Sequence, residues 1–361
     1  MHSRLTRFTA TTGPAISYPV RMASSSIAAP RAAADAQLVP GVSPTARLHI
    51  VTGKGGTGKT TVAAALAMAM ASLGRKVLLV EVEGRQALAQ LFDVPALPYA
   101  EHKLATGEHN GQVWGLAIDA EAAMIEYLEM FYGLKRSARG LKKMGAVDFA
   151  TTLAPGLRDV LLTGKVKEAV TRVGENGRPA YDCVVLDAPP TGRIRQFLNA
   201  TQEVANLTKF GPISRQSEGV IEVLRGPKTT VHIVTLLEEM PVQETVDAAI
   251  ELSAAGFAMG TIVVNRARPT LIADGQVGPD GSVDLDLLAA GLREANLPDG
   301  YAGPLAAQMA DYAQRQELQE DTTRRLDEVE LPRVELPDLN PPVELGELNE
   351  LAHCFLVGGG E

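Results

Sequence analysis

LHIVTGKGGTGKTT, residues 48–61, decides the fold. Residues 48–51 form a short, largely apolar run of the kind that makes a buried strand. It gives way to Gly53-Lys54-Gly55-Gly56-Thr57-Gly58-Lys59-Thr60-Thr61. Val62, Leu66, Met70 and Leu73 then fall at helical spacing, and Gly74 is suited to ending that helix. Strand, glycine-rich turn and helix in that order are the context a phosphate-binding loop requires, and every position of GxxxxGK[ST] is filled. Glycines let backbone N–H groups turn inward around phosphates, and the helix N-terminus adds a favourable dipole. Residues 53–61 are therefore the expected ATP-binding loop. Lys59 is expected to reach the β- and γ-phosphates, and the Thr60 hydroxyl to ligate Mg²⁺. Lys54 is an additional lysine inside the turn. From there it cannot easily serve the phosphates of its own chain, but it can reach across a two-fold interface and offset charge on a partner's transferring group.

Outward from the loop, apolar strands alternate with helical stretches. Residues 76–82, 114–118, 181–186, 230–236 and 260–264 read as further strands, which indicates a mostly parallel sheet covered on both faces. The expected class is α/β, a doubly wound P-loop nucleotide hydrolase. Between about 119 and 226 the helical character is extended. Met124, Ile125, Leu128, Phe131 and Tyr132 mark one amphipathic face, and Leu157, Val160 and Leu161 mark another after Pro155-Gly156. This predicts a helical subdomain inserted in an ATPase domain of residues 46–357. Residues 274–284 read as a surface loop, 328–343 as an extended closing segment, 345–356 as a last helix and 358–361 as a frayed end.

Three more positions complete the expected site. Asp187 ends the run Cys183-Val184-Val185-Leu186, where an acid can hold Mg²⁺ through water. The loop Ala188-Pro189-Pro190-Thr191-Gly192 follows, and the Gly192 N–H is placed to sense the γ-phosphate. Glu81 and Glu83 close the second strand; Glu83 is the better placed to orient the attacking water. Asn265 ends another strand, and its amide can both donate to and accept from adenine. Lys54, Glu83 and Asp187 are the expected catalytic set.

Composition restricts the alternatives. The chain has 361 residues, 45% hydrophobic and 21% charged, with a formal net charge of −9. That is the make-up of a globular protein and argues against a general nucleic-acid coat. No run approaches the roughly 18 apolar residues of a membrane span. Two distant cysteines, Cys183 and Cys354, fit a reducing compartment, so the expected location is cytoplasmic, with or without peripheral membrane contact. Residues 1–45, rich in Ser, Thr, Ala, Pro and Arg, read as an unstructured tail, with a mitochondrial-type presequence as the alternative. The basic run Lys135, Arg136, Arg139, Lys142 and Lys143 reads as a solvated face or a docking site.

The segments GKGGTGKTT, VEVEGRQALAQLF, APGLRDVLLTGKV, VLDAPPTGRIRQFL, TLLEEMPVQET and IVVNR together resemble the arsenite-transporting and tail-anchored-protein-targeting ATPases. These belong to the deviant Walker A group, which also holds the cell-division and partition ATPases. The chain is most similar in plan to short, single-unit actinobacterial members that occur as paired subunits. The resemblance implies a nucleotide-sandwich dimer, homodimeric or with a paralogous ATPase subunit, in which Lys54 acts in trans. It implies that nucleotide state opens and closes a helical surface for a hydrophobic client or a partner protein. It places the water-activating residue at Glu83, where relatives commonly carry Asp, and Arg193 where they carry His. The zinc-binding CxxC, the metalloid cysteines and the tandem duplication of some relatives are missing, which speaks against an arsenite efflux subunit. The runner-up function is a partner- or membrane-associated switch of the cell-division type. That reading expects a basic closing helix, whereas this one carries Glu344, Glu347 and Glu350.

Overall fold

A computed structural model describes residues 36–82, 84, 86–132, 155–207, 212–273, 275–339 and 343–358; side chains of 127–132, 155, 157 and 201–217 lie outside that description. Glu83 and the basic run at 135–143 fall outside the described residues.

The centre is an eight-stranded sheet. Its strands are β2 (Leu48–Gly53), β3 (Lys76–Glu81), β4 (His102–Thr106), β5 (Gln112–Ala117), β6 (Cys183–Asp187), β7 (Thr229–Thr235), β8 (Met259–Ala267) and β9 (Arg333–Pro337). They lie in the order β4-β5-β3-β6-β2-β7-β8-β9. Every pairing is parallel except β4 on β5 at one edge. Strands of period two expose alternate residues to opposite faces. Val77 and Leu79 accordingly enter one core with Val51, Val185 and Val234, while Leu78 and Val80 enter the other with Ile50, Val184 and Leu186.

The first core is closed by α1 (Lys59–Ser72), α2 (Ala87–Leu91) and the last helix, α10 (Leu345–His353). α1 is buried from Val62 to Ala71, because its run of alanines and methionines leaves little bulk and no charge to solvate. Leu66 and Met70 are fully buried there, each worth about 1.5–3 kcal/mol of transfer free energy. Gly74, at φ +81, ends it as the sequence predicts: the Gly74 and Arg75 N–H groups return to Ala71 O and Met70 O. The second core is covered by α3 (Ala120–Tyr132), α4 (Pro155–Thr171), α5 (Thr191–Leu207), α6 (Pro212–Leu224) and α7 (Glu239–Ala254). α3 and α4 therefore enter between β5 and β6, and α5 and α6 between β6 and β7, inside the range expected for the helical insertion.

Two expectations need correction, and a third, the extended closing segment, is sharpened. Residues 36–45 are not tail: β1 (Gln37–Leu38) pairs antiparallel with β10 (Leu356–Val357), and Val39 and Val42 are buried. A two-residue strand is too short to show a period, and it is held by its pairing with the other end of the described chain. The closing segment contains a true strand, β9, in parallel register with β8; Pro332 and Pro337 are tolerated because this is the sheet edge. The last helix stops at His353, and Leu356 joins β10 instead. The sequence reading also missed α8 (Leu285–Glu294) and α9 (Ala302–Arg325), which lead from β8 to β9. Of α9's 24 residues only Ala302 is buried.

Candidate active site

β2 delivers the chain to the phosphate loop at its carboxyl end, between β6 and β7. The loop then needs backbone conformations that side chains resist. Gly53, Gly56 and Gly58 all have positive φ. Gly58 meets a second demand: a Cβ there would lie 2.3 Å from the Asn265 amide nitrogen. At Gly55 and Gly56 a Cβ would meet nothing within 4 Å, so the space over the turn is open. Inside the turn, Lys54 O accepts from Thr57 N at 3.3 Å and from Thr57 Oγ1 at 2.9 Å. Asn265 Nδ2 donates to Thr57 O at 2.8 Å from the end of β8. The Asn265 amide thus braces the loop from below.

The two loop lysines point different ways. Lys59 is buried and its Nζ lies 3.4 Å from Lys54 O, inside the turn. Lys54 turns outward, where its ammonium pairs with Glu244 on α7. Glu244 Oε2 also accepts from Thr191 Oγ1 at 3.0 Å, and the hydrogen bond from Lys54 holds this carboxyl below the usual carboxylate range. Glu244 is a residue that sequence reasoning missed. Its only mark along the chain is the acid near the end of TLLEEMPVQET, far in sequence from both of its partners.

Asp187 closes β6 directly beside β2 and β3, in register with Val51 and Glu81. Thr60 Oγ1 donates to Asp187 Oδ2 at 2.6 Å. The two groups expected at a metal therefore meet, one hydroxyl and one carboxylate from neighbouring elements. Such a hard-oxygen pair suits Mg²⁺, which keeps several waters and takes further oxygens from phosphates rather than from an all-protein cage. Thr52 Oγ1 donates to Pro189 O at 2.7 Å and ties the loop after Asp187 to the end of β2. α5 begins at Thr191, so Gly192 lies in its first turn, with Arg193 N and Ile194 N both directed at Pro190 O. The N-terminal end of α5 is thereby presented beside the phosphate loop.

Glu81 is nearly inaccessible, and its carboxylate accepts from Ala87 N at 3.4 Å and Leu88 N at 3.3 Å, at the start of α2. Arg193 Nη2 lies 3.5 Å from Asp159 Oδ1 on α4, and burial pushes the Asp159 carboxyl up against the opposing pull of Arg193. The start of α5 is thus joined to the helical layer. Cys183 is fully buried, its Sγ 3.2 Å from Met70 Sδ, and burial pushes its thiol up to about 12. Among the described residues, no three His, Cys, Asp or Glu side chains gather to hold a metal, and no helix is long and apolar enough to cross a membrane.

A parallel sheet with a glycine-rich phosphate loop after its central strand, a strand-end acid on the loop's threonine and a helix N-terminus beside them define a P-loop nucleotide hydrolase. The family model for anion-transporting ATPases matches residues 46–226. ATPase BagA of Mycobacterium tuberculosis is 53% identical over 317 residues, 87% of this chain and 93% of that protein. ATPase get3 of Schizosaccharomyces japonicus is 30% identical over 179 residues, 47% of this chain and 51% of its own. A protein of Aquifex aeolicus, named as a candidate arsenical pump-driving ATPase, is 25% identical over 62% of this chain and 64% of its own. The chain belongs to the anion-transporting ATPase family, and it is an ATP hydrolase.

Proposed function

We propose that the protein works as a dimer that clasps Mg-ATP between two phosphate loops, with Lys54 of each subunit reaching the nucleotide of the other. The partner is a second copy or a paralogous ATPase subunit. The observation that carries this reading is the divergence of the two lysines: Lys59 points into its own turn, while Lys54 points out of it to Glu244. A cation so placed contributes to hydrolysis through a neighbour's phosphates more readily than through its own. Phosphates and Mg²⁺ would be held by residues 53–61, Thr60 and Asp187, with Glu83 orienting water and Gly192 contacting the γ-phosphate. The Arg193–Asp159 contact supports transmission from the γ-phosphate loop into the helical insertion, about 119–226, whose closing and opening would serve a hydrophobic client or partner protein. The buried Cys183 argues against a metalloid site. The cell-division type of switch finds no support in α10, whose Glu344 and Glu347 form a capping box and whose Leu348 and Leu351 face α1.

The test is Lys54→Ala. It should leave the affinity for a fluorescent ATP analogue within about threefold of wild type and lower kcat by roughly 10³, the size of a cation lent in trans. Loss of nucleotide binding equal to that of Lys59→Ala would remove the trans role, and wild-type turnover would remove any role.

A further inference from the structure

Lys54, Glu244 and Thr191 come from three separated parts of the chain and meet at one carboxylate. Oε1 of Glu244 takes the Lys54 ammonium and Oε2 takes the Thr191 hydroxyl. The first partner belongs to the phosphate loop. The second opens the helix that follows Asp187 and stands next to Gly192. Glu244 itself sits early in α7, on a wall of an open groove of about 580 Å³ between α5 and α7. The pair is partly exposed, with 30% of the Lys54 side chain and 36% of the Glu244 side chain accessible. An ion pair so hydrated is weak and exchangeable, worth a small factor in an equilibrium rather than orders of magnitude. Its geometry is nevertheless consequential, because it fixes at once the lysine and the sensor loop that the reaction would have to move.

We infer that Glu244 is a positioning residue: its carboxylate clasps Lys54 and Thr191 together, and the clasp has to let go before Lys54 can reach a neighbouring subunit's nucleotide. This rests on the trans role proposed above for Lys54. The competitor for both partners is the same chemical group, a terminal phosphate with its dense negative charge, which attracts the ammonium and the Thr191–Gly192 end of α5 together. The clasp therefore opposes the assembled state by a modest amount and couples release of the lysine to movement of the sensor loop.

The experiment compares wild type with Glu244→Gln in the full-length, nucleotide-free protein. Glutamine keeps an acceptor for Thr191 and removes the charge that holds Lys54. Brief acylation with a soluble N-hydroxysuccinimide acetate, read by mass spectrometry, reports the reactivity of each lysine amine. Lys54 should react about threefold faster in Glu244→Gln, the factor expected of an exposed ion pair, with Lys76 and Lys228 as unchanged references. Glu244→Asp should restore part of the protection. In steady state, the KM for Mg-ATP should fall by about the same factor while kcat holds, a split that a general loosening of the fold would not give.

Unchanged Lys54 reactivity in Glu244→Gln would overturn the clasp, as would equal acceleration at all three lysines. The trans role is judged separately by turnover of Lys54→Ala. Suppressed turnover there with unchanged reactivity here would sink the clasp alone, and wild-type turnover there would sink the trans role while the acylation arm still decided the clasp.

Discussion

β2 and β7 run side by side and carry polar groups at two levels, built on opposite terms. Near their carboxyl ends polar groups are paired across elements: Lys54 with Glu244 in a partly hydrated ion pair, and the Thr60 hydroxyl with the Asp187 carboxylate. At mid-strand, His49 and His232 are fully buried, with rings 5.4 Å apart and His49 Nδ1 3.1 Å from His232 Nε2. Thr261 N donates to His232 Nδ1 at 3.2 Å, so His232 carries its proton on Nε2 and gives it to His49 Nδ1. His49 Nε2 then bears the remaining proton and has no hydrogen-bond partner among the described residues. Burial lowers both imidazole pKa values, and the neighbouring His232 lowers that of His49 further. Water makes the difference between the levels. Where it reaches, partners can be exchanged for about the energy of a surface ion pair; where it does not, the groups stay neutral and fixed. A site that must trade a carboxylate for a phosphate can be built only at the strand ends.

The largest effect that would break this contrast belongs to Asp187. Asp187→Asn keeps the shape and an acceptor for Thr60 but removes the charge. kcat should fall by roughly 100-fold and the Mg²⁺ concentration for half-activity should rise, both read from phosphate release against a Mg²⁺ titration. Turnover and Mg²⁺ dependence like wild type would mean that the strand-end charge is as inert as the mid-strand pair. The second effect belongs to the histidines. Their folded pKa values lie below the unfolded value of about 6.5, His232 at about 4, so the unfolded chain binds more protons between those pH values. The contribution is present above pH 6.5 and lost as pH falls through the window, up to about 3 kcal/mol for His232. Urea unfolding at pH 7, 5.5 and 4.5 should follow that decline, and His49→Leu/His232→Leu should flatten it. A wild-type profile flat across the window would show that the pair is hydrated after all.

The same contrast explains what could be read from residue order. The strands around the loop were legible because a strand covered on both faces is apolar through its middle, as in 77–80 and 183–186. The phosphate loop was legible because its glycines and lysines stand at fixed spacing along the chain. Glu244 was not, because its task depends on being beside Lys54 and Thr191, 190 and 53 residues away. α9 was missed for another reason. Its charged and polar residues carry almost no apolar stripe, and it buries only Ala302, so helical periodicity had nothing to report. The antiparallel edge β4 shows no buried residue either. β1 and β10 are two residues each and become visible only once they are paired.

Asn265 lies between the two levels and gives the smallest effect. Position at a strand end suggests reading the adenine, whereas its amide nitrogen donates to Thr57 O under the loop, in the space that Gly58 leaves for it. At 6% exposure it has the burial of the mid-strand pair and the location of the site. Asn265→Ala would leave Thr57 O without this donor, a cost of about 1–3 kcal/mol borne by the loop that receives phosphate. The KM for ATP should therefore rise roughly tenfold with kcat little changed. A brace supports any triphosphate, so the KM for GTP should rise by the same factor. A rise for ATP alone would place the amide on the base, and Asn265 would then belong with the exchangeable groups at the strand ends rather than with the fixed ones.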